Sequence, residues 1–356
     1  MSMPRARGGF PVGMRNRVTI EQVAREAGVS AQTVSRVVNN HPSVAPKTRM
    51  RVQQLIARMG YQPNILARGL VHRRSYSLGV VASALEYFGP SSTLVGIEQQ
   101  ANELGYSIQL CLLHRPQVDD PGQVLNRLLS RQVDGIIWAV PEIGANHEWL
   151  EKRTPYLPVP IVFLSMHPTD GLPVACVDNR AGGRMATEHL LSQGYRRVGL
   201  VSGPLDWWEA RERRLGWEDA LRGAELPVDE RQVFEGNWNA ASGEEGFVRL
   251  AGQFPEIDSV FAGNDQMALG VLGAAHLRKL GVPEDLGVVG FDDIPESAYF
   301  WPPLTTMRQE LRQLGGTAVQ QVARMISASR GEASAMPPES HWLMPRLVVR
   351  LSSTRS

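Results

Sequence analysis

The side chains best suited to recognition near the N-terminus lie in the run AQTVSRVVN, residues 31–39. Val34 and Val37 have helical spacing and predict one buried face. Gln32, Arg36 and several hydroxyl groups are left on the outer side. This outer side differs from the Glu and Lys mixture of a helix that only faces solvent. The pattern therefore favours a helix that enters the major groove of DNA.

A second helix pattern comes directly before the first and would position it. Apolar residues recur at helical spacing from Ile20 onward, and Thr19 with Gln22 has the spacing of a capping box. Gly28 interrupts the helix, and Ser30 can cap the next one. Two short helices joined at a glycine predict a helix-turn-helix. An ordinary helical hairpin is the alternative that this stretch leaves open.

A third helix and a short hinge follow. Proline at the first helical position and a glycine after the last predict a helix over residues 46–59, although Ala45 is a poor cap. Tyr61 could close the core of the three helices. Asn64 could cap a helix over residues 65–70 that is too short to be stable alone. It would fold against a partner, or the stretch is a partly helical linker.

Charge is distributed unevenly along the 356 residues. Residues 1–74 hold 13 Lys and Arg against 2 Asp and Glu, whereas the rest of the chain holds 24 against 34. A basic module on an acidic body suits a domain that binds nucleic-acid phosphates. We therefore expect four segments: a flexible basic extension at 1–17, the helix-turn-helix headpiece at 18–63, a hinge helix and linker at 64–75, and a ligand-binding and dimerisation body at 76–351.

Several classes of protein are disfavoured by composition. The extension lacks the apolar core of a signal peptide, and no later run is long and apolar enough to span a membrane. We expect a cytoplasmic protein without a membrane partner. Cys111 and Cys176 lie far apart without neighbouring ligand residues, which favours buried thiols over a metal site or disulfide. No cofactor and no metal are expected.

The body has the pattern of an α/β fold. From residue 78 onward, short strands apolar on both faces alternate with amphipathic helices, in two successive series. The pattern predicts two lobes of doubly wound parallel sheet with a cleft between them. An enzyme could use the same fold. However, the chain has no GxSxG elbow, no P-loop and no histidine pair at metal-ligand spacing.

The chain resembles the lactose/galactose repressor family of bacterial transcription regulators from residue 18 to about 351. The motifs that carry the resemblance are TIEQVAREAGVSAQTVSRVVNN, GYQPNILARGL, DNRAGG, HLLSQGYRRVGLVSGP, RRLGW, FAGNDQMALG and VVGFDD followed by PPLTT. The resemblance implies a body like that of the periplasmic sugar-binding proteins. It thus agrees with the two lobes that the strand pattern predicts.

The resemblance also implies residues that contact DNA. Ala31, Gln32 and Arg36 would read bases: arginine can grip guanine, glutamine can pair with adenine, and alanine can touch a thymine methyl. The residues expected to hold phosphates are Thr19, Ser30, Thr33, Ser35 and Asn39. The hinge would add Asn64, Ala67 and Leu70, and a pair of Leu70 side chains could wedge into a base step from the minor groove.

For a small ligand, the family match falls on polar and aromatic residues of the body. They are Tyr87, Phe88, Trp138, Arg213, Trp238, Asn264, Asp292 and Gln309. Arg213 and Asp292 suit hydrogen bonds to adjacent hydroxyls, and flat aromatic faces suit a sugar ring. Many relatives carry an acidic residue where this chain has Ser165, which leaves the ligand's identity open. Trp207, Trp208 and Trp301 are weaker candidates.

The function that follows is a DNA-binding repressor, controlled by a small effector that is expected to be a carbohydrate. Two headpieces of a homodimer would read a pseudo-palindromic operator. The C-terminal tail has no leucine heptads that would tie dimers into tetramers. The alternatives are a regulator that responds to a non-sugar ligand such as a nucleobase, a stand-alone binding protein, and an enzyme.

Overall fold

A computed structural model describes residues 18–38, 41–61, 74–150, 154–334 and 337–354. The chain divides after Ser75 into two compact units, a headpiece and a body, and each is described here by itself. The proposed DNA contacts Asn39, Asn64, Ala67 and Leu70 lie outside the described residues, as does the extension at 1–17.

The headpiece contains three helices: α1 is Ile20–Ala27, α2 is Ala31–Val38 and α3 is Pro46–Met59. The predicted capping box is confirmed, since the Gln22 amide donates to Thr19 Oγ1 at 3.4 Å and the Thr19 amide donates to Gln22 Oε1 at 2.9 Å. Gly28 has φ of 60°, a left-handed conformation that glycine adopts without a Cβ clash. This turn sets the direction in which α2 leaves α1.

The predicted apolar faces form one small core. Val23, Val34 and Val52 are fully buried, one from each helix, and Tyr61 packs against the same cluster. Ala45 makes no side-chain cap bond to α3, as its chemistry predicts. With three buried faces meeting, the headpiece is a three-helix unit and not an isolated helical hairpin.

The body contains two six-stranded sheets, which confirms the predicted α/β class. The strands are β1 Ser77–Ala82, β2 Ser107–Leu112, β3 Gly135–Ala139, β4 Ile161–Leu164, β5 Val174–Val177, β6 Val198–Ser202, β7 Val233–Glu235, β8 Ser259–Ala262, β9 Gly287–Asp292, β10 Thr305–Arg308, β11 His341–Leu343 and β12 Arg346–Val348. The first sheet has the order β11-β5-β4-β3-β1-β2 and is parallel. The second has the order β12-β10-β9-β8-β6-β7 and is parallel except at β12.

Helices cover these sheets and define two lobes. They are α4 Phe88–Glu103, α5 Pro121–Ser130, α6 Asn179–Ser192, α7 Trp208–Gly223, α8 Ala240–Gln253, α9 Asp265–Leu277 and α10 Leu311–Ser329. The chain passes between the lobes three times: after β5, after β10 and between β11 and β12. Helix α10 therefore returns to lobe 1, where Val319 and Val322 join its core.

Close packing of α6 on α7 fixes the position of a key arginine. A Cβ on Gly183 would lie 2.2 Å from the carbonyl oxygen of Arg213, and one on Gly216 would lie 2.1 Å from that of Arg180. Only glycine allows the two backbones to approach this closely. The glycines of the DNRAGG and RRLGW motifs thus hold Arg213 against the start of α6.

Candidate ligand cavity and nucleic-acid interface

A cavity lies where the carboxyl ends of the strands of both lobes face each other, the usual ligand position in open parallel sheets. Its lining combines aromatic faces with a few polar groups. The lining residues are Tyr87, Phe88, Gly89, Pro90, Thr93, Pro141 and Ser165 from lobe 1, Trp207, Glu209, Arg213, Trp238, Asn264 and Asp292 from lobe 2, and Gln309 and Leu311 from the second crossing.

Arg213 is held in place from several sides. Its Nε donates to Asn179 Oδ1 at 2.8 Å and its Nη1 donates to the carbonyl oxygen of Gly263 at 2.5 Å. The guanidinium carbon lies 3.9 Å from the centre of the Phe291 ring. Burial lowers the pKa of Arg213, and the nearby Asp292 carboxylate acts in the opposite direction. The result is a buried, pre-oriented cation.

Asp292 faces Arg213 across the cavity wall. Its Oδ1 lies 3.8 Å from Arg213 Nη1 and accepts a hydrogen bond from Gln309 Nε2 at 2.6 Å. Burial raises the pKa of Asp292 to about 6, although Arg213 and Gln309 stabilise its ionised form. Its neighbour Asp293 pairs instead with Arg308 and Arg350. Asp292 is therefore a cavity acceptor and does not cap a helix.

The backbone at Asp292 is strained. Its φ is 114°, a value that non-glycine residues rarely adopt. Of the nine described non-glycine residues with positive φ, Asp292, Ser165 and Trp238 line the cavity. Strain of this kind costs free energy and marks places where geometry serves a function.

Asn264 and Trp238 are linked to each other. Asn264 Oδ1 accepts from the Met267 amide at 2.8 Å and caps α9, while its Nδ2 donates to the Trp238 carbonyl oxygen at 2.9 Å. The Trp238 ring lies 5.8 Å, centre to centre, from the ring of Trp207. The buried Trp238 Nε1 has no acceptor among the described residues.

Seven of the eight residues that the resemblance assigned to the ligand line this cavity together. Their role as ligand contacts stays a prediction. The eighth residue, Trp138, does not line the cavity, so its assignment to the ligand is corrected. It is buried in the core of lobe 1, where its ring packs edge-on against that of Trp149 with 4.7 Å between the ring centres. Strand β3 is covered on both faces, so the Trp138 side chain packs within the core.

Sequence reasoning missed one acidic residue of the cavity. Glu209, in the first turn of α7, lines the wall together with Ser165, whose hydroxyl interacts with its carboxylate. Burial raises the pKa of Glu209, while Arg213 and Ser165 lower it. Lobe 1 has Ser165 where many relatives have an acidic residue, and in this cavity Glu209 of lobe 2 supplies a carboxylate beside that position. The detectable signal was its position one helical turn before Arg213.

The three weaker tryptophan candidates have different positions. Trp207 lines the cavity, with its ring edge-on to Tyr87 at 5.8 Å. Trp208 is buried in the apolar core. Trp301 is 91% exposed and does not line the cavity.

Backbone and charge contacts join the two lobes at the cavity rim. The Trp208 amide donates to the Glu142 carbonyl oxygen at 3.0 Å, and the Gly144 amide donates to the Asp206 carbonyl oxygen at 2.8 Å. Arg211 Nη2 lies 3.0 Å from Glu142 Oε1, and the Glu142 side chain is almost fully buried. These contacts connect the loop after β3 with the start of α7.

The headpiece presents the second candidate surface. Gln32 and Arg36 are exposed and one turn apart on α2, while Ala31, Thr33 and Ser35 are half-buried beside them. Ser30 Oγ accepts from the Thr33 amide at 3.1 Å and caps α2 as predicted. Thr19 is exposed at the start of α1. These positions suit base contacts from α2 and backbone contacts from the helix starts.

Membrane-spanning and metal-binding features are absent from the described residues. They include no helix long and apolar enough to cross a membrane. They contain no group of three or more His, Cys, Asp or Glu side chains arranged to hold a metal ion. Both cysteines are buried and free, and burial raises the pKa of the Cys176 thiol to about 12.

One chain with a helix-turn-helix headpiece and a two-lobed periplasmic-binding-protein-like body has the composition of a ligand-responsive DNA-binding regulator. Two family models match accordingly: bacterial regulatory proteins of the lacI family over residues 19–64, and the periplasmic binding protein-like domain over residues 187–353. The chain belongs to the lacI family of bacterial regulatory proteins.

Individual relatives match over most of the chain. The lactose operon repressor of Escherichia coli (strain K12) is 34% identical over 95% of this chain and 91% of its own length. The HTH-type transcriptional repressor PurR of Haemophilus influenzae (strain ATCC 51907 / DSM 11121 / KW20 / Rd) is 32% identical over 87% and 91%. A crystal structure of the lac repressor dimer bound to operator and the anti-inducer ONPF has a TM-score of 0.80 at 32% identity, and covers 96% of this chain and 100% of that one.

Proposed function

We propose that this protein is a transcriptional repressor that binds a pseudo-palindromic operator as a homodimer and is controlled by a sugar in the body cavity. The observation that carries the proposal is the combination of two surfaces on one chain. Gln32 and Arg36 are exposed on the second helix of the headpiece, and Arg213 and Asp292 face each other in an aromatic-lined cavity.

The DNA-binding half of the proposal follows from chemistry and symmetry. A guanidinium and an amide on one helix face can each make paired hydrogen bonds to a base edge. The basic headpiece adds affinity for phosphates that falls with salt. Two copies related by a two-fold axis require an operator with matching symmetry. The action would take place on DNA in the cytoplasm.

The control mechanism uses the two lobes. A ligand that contacts Ser165 on one side and Glu209 or Asp292 on the other binds best when the lobes are closed. Closure would change the positions of the chain segments that lead to the headpieces. A coupling of about 1–3 kcal/mol between ligand and DNA is typical of such linkage and suffices to change operator occupancy.

A sugar fits the cavity because charged acceptors and flat rings stand side by side. Asp292 and Glu209 can accept from adjacent hydroxyls, and Tyr87 and Trp207 offer faces to the apolar side of a ring. A nucleobase could also stack on these rings, so this second ligand class is included in the test. The roles assigned to these residues are all in ligand binding, and we infer that the protein catalyses no reaction.

The test is selection of bound sequences from a random DNA pool with full-length protein, repeated with panels of sugars and of nucleobases. We expect one pseudo-palindromic site whose recovery changes with a sugar. Arg36→Ala should relax the base preference at one position by about 1–3 kcal/mol. Arg58→Ala is the matched control, since Arg58 pairs with Glu26 on the exposed surface and should leave base preference unchanged.

Three outcomes would contradict the proposal. Folded dimer that enriches no site would remove the DNA-binding half. A site that responds only to a nucleobase would replace the sugar. Turnover of any bound sugar by the purified protein would contradict the inference that it catalyses no reaction.

A further inference from the structure

Three of the described residues that line the cavity have charged side chains: Glu209, Arg213 and Asp292. Arg213 and Asp292 are neighbours at 3.8 Å, and both side chains are more than nine-tenths buried. The positive charge of Arg213 is therefore already matched. Glu209 adds a second carboxyl group for which the lining offers no second cation.

Two arginines close to the cavity are engaged elsewhere. Arg211, on the same helix, pairs with Glu142 and donates to the carbonyl oxygens of Leu205 and Asp206. Arg180 pairs with Asp219 on the outside of lobe 2. With both carboxylates ionised the lining is negative, and with one of them protonated it is neutral. In neither state is it positive.

The environment already disfavours negative charge at this place. Burial raises the pKa of both Glu209 and Asp292, which means that each carboxylate is held against a cost of desolvation. A ligand phosphate or carboxylate would bring a further negative charge beside them. It would need a cation to balance its charge, and the cation among the described lining residues, Arg213, is already paired with Asp292 at 3.8 Å.

Ligand hydroxyl groups, unlike anionic groups, suit the cavity lining. Glu209 and Asp292, which both line the cavity, can each accept a hydrogen bond from a ligand hydroxyl. The Ser165 hydroxyl interacts with the Glu209 carboxylate from the other lobe and steadies it at the wall. A neutral ligand with several hydroxyls satisfies these groups and adds no charge.

We propose that Glu209 makes this cavity selective for neutral sugars and against their phosphorylated and carboxylated forms. This inference rests on the proposed role of the cavity as the effector site. Glu209 acts in two ways: it accepts a hydrogen bond from a sugar hydroxyl, and it repels anions electrostatically.

The experiment is isothermal titration calorimetry on the full-length protein. The probes are D-glucose, D-galactose and D-ribose, each with its terminal phosphate ester, together with glucuronate and galacturonate. Wild-type protein is compared with Glu209→Gln, which keeps the shape of the side chain and removes its charge. Glu212→Gln is the matched control, because Glu212 lies on the same helix but does not line the cavity.

We expect at least one neutral sugar to bind wild-type protein, and its anionic counterpart to bind at least about tenfold more weakly. Glu209→Gln should narrow that ratio by about tenfold, and Glu212→Gln should leave it unchanged. A double variant, Ser165→Asp with Glu209→Ser, should restore rejection of anions, since it moves the carboxylate to the facing wall. Aspartate tolerates the left-handed backbone at position 165, where φ is 54°.

Three results would overturn the inference: an anionic form that binds wild-type protein as tightly as the neutral one, a ratio that Glu209→Gln does not change, or no binding of any neutral sugar in the set. Operator binding measured on the same preparations separates this failure from failure of the proposed function. Protein that binds its operator but none of these sugars refutes the ligand class alone.

Discussion

The indole ring of Trp238 lies directly on the backbone of Gly203, so closely that a Cβ at Gly203 would come within 2.1 Å of a ring carbon. Gly203 follows β6, whereas Trp238 follows β7, the neighbouring strand in the sheet. The absence of a side chain at Gly203 is what lets the ring come this close and form part of the cavity wall.

Gly203→Ala should therefore displace the Trp238 ring and damage the cavity. Overpacking of this kind costs about 1–3 kcal/mol. We expect lower stability in chemical denaturation and at least about tenfold weaker binding of the sugar identified by operator selection. Gly223→Ala is the control, because a Cβ at Gly223 meets no atom within 4 Å. Unchanged ligand affinity in the Gly203 variant would show that Trp238 is not part of the binding surface.

A second prediction concerns pH. Burial raises the pKa of Asp292 from 3.8 to about 6, so the folded protein binds this proton more tightly than the unfolded chain does. The resulting stabilisation is fully present below about pH 4 and is lost as pH rises through about 6. Asp292→Asn removes this dependence, because asparagine does not titrate.

The measurement is the free energy of unfolding of wild-type protein minus that of Asp292→Asn, followed from pH 4 to pH 7.5. We expect this difference to fall with rising pH by about 2–3 kcal/mol, spread over the interval between about pH 4 and pH 6. A difference that stays flat across the range would mean that Asp292 has an ordinary pKa. Sugar binding should also weaken below pH 6, since protonated Asp292 loses its charge as an acceptor.

The local parts of this fold were readable from the sequence, and the reason is physical. Thr19, Gln22 and Gly28 act within one helix and its turn, so their spacing alone carries the information. The strands of the body are apolar on both faces, which indicates parallel sheets covered by helices. The return of α10 to lobe 1 had no such signal, because only packing against distant strands decides it.

The cavity, too, was only partly predictable from the sequence, because it depends on residues that are distant along the chain. Asp292 is the last residue of β9, and Arg213 lies in α7, the helix that follows β6, so both lie near the carboxyl ends of the strands of lobe 2. The family resemblance indicated which polar residues to choose. Trp138 also stands near the end of a strand, yet it packs inward against Trp149. Glu209 was missed because it belongs to the highly charged run WEARERR, in which one buried acid looks like its exposed neighbours.

A third prediction addresses the contacts between α6 and α7. A Cβ at Gly183 would lie 2.2 Å from the carbonyl oxygen of Arg213, so Gly183→Ala must push the helices apart. We expect the free energy of unfolding to fall by about 1–3 kcal/mol. Ligand affinity should fall as well, because Arg213 moves with its helix. Gly273→Ala is a matched helical control, since nothing lies within 4 Å of its Cβ position, and alanine should be neutral or slightly stabilising there. Equal melting temperatures for the two variants would contradict the tight packing.

The last prediction concerns the contact at the rim between Arg211 and Glu142. Arg211→Ala leaves the buried Glu142 carboxylate without its arginine and removes hydrogen bonds to the carbonyl oxygens of Leu205 and Asp206. The closed arrangement of the lobes should lose about 1 kcal/mol, since Arg211 is partly exposed and its ion pair is screened by solvent. Ligand affinity should therefore fall about threefold to tenfold.

Small-angle scattering of the free protein should show a wider distribution of lobe separations in Arg211→Ala than in wild type. Arg214→Ala serves as the control, because Arg214 pairs with Glu218 and Glu230 inside lobe 2 and touches no described residue of lobe 1 through an ion pair. If both variants bind the sugar equally, the rim contact does not contribute to closure. If only Arg211→Ala weakens binding while operator affinity without ligand is preserved, the contact stabilises the closed, ligand-bound arrangement of the lobes.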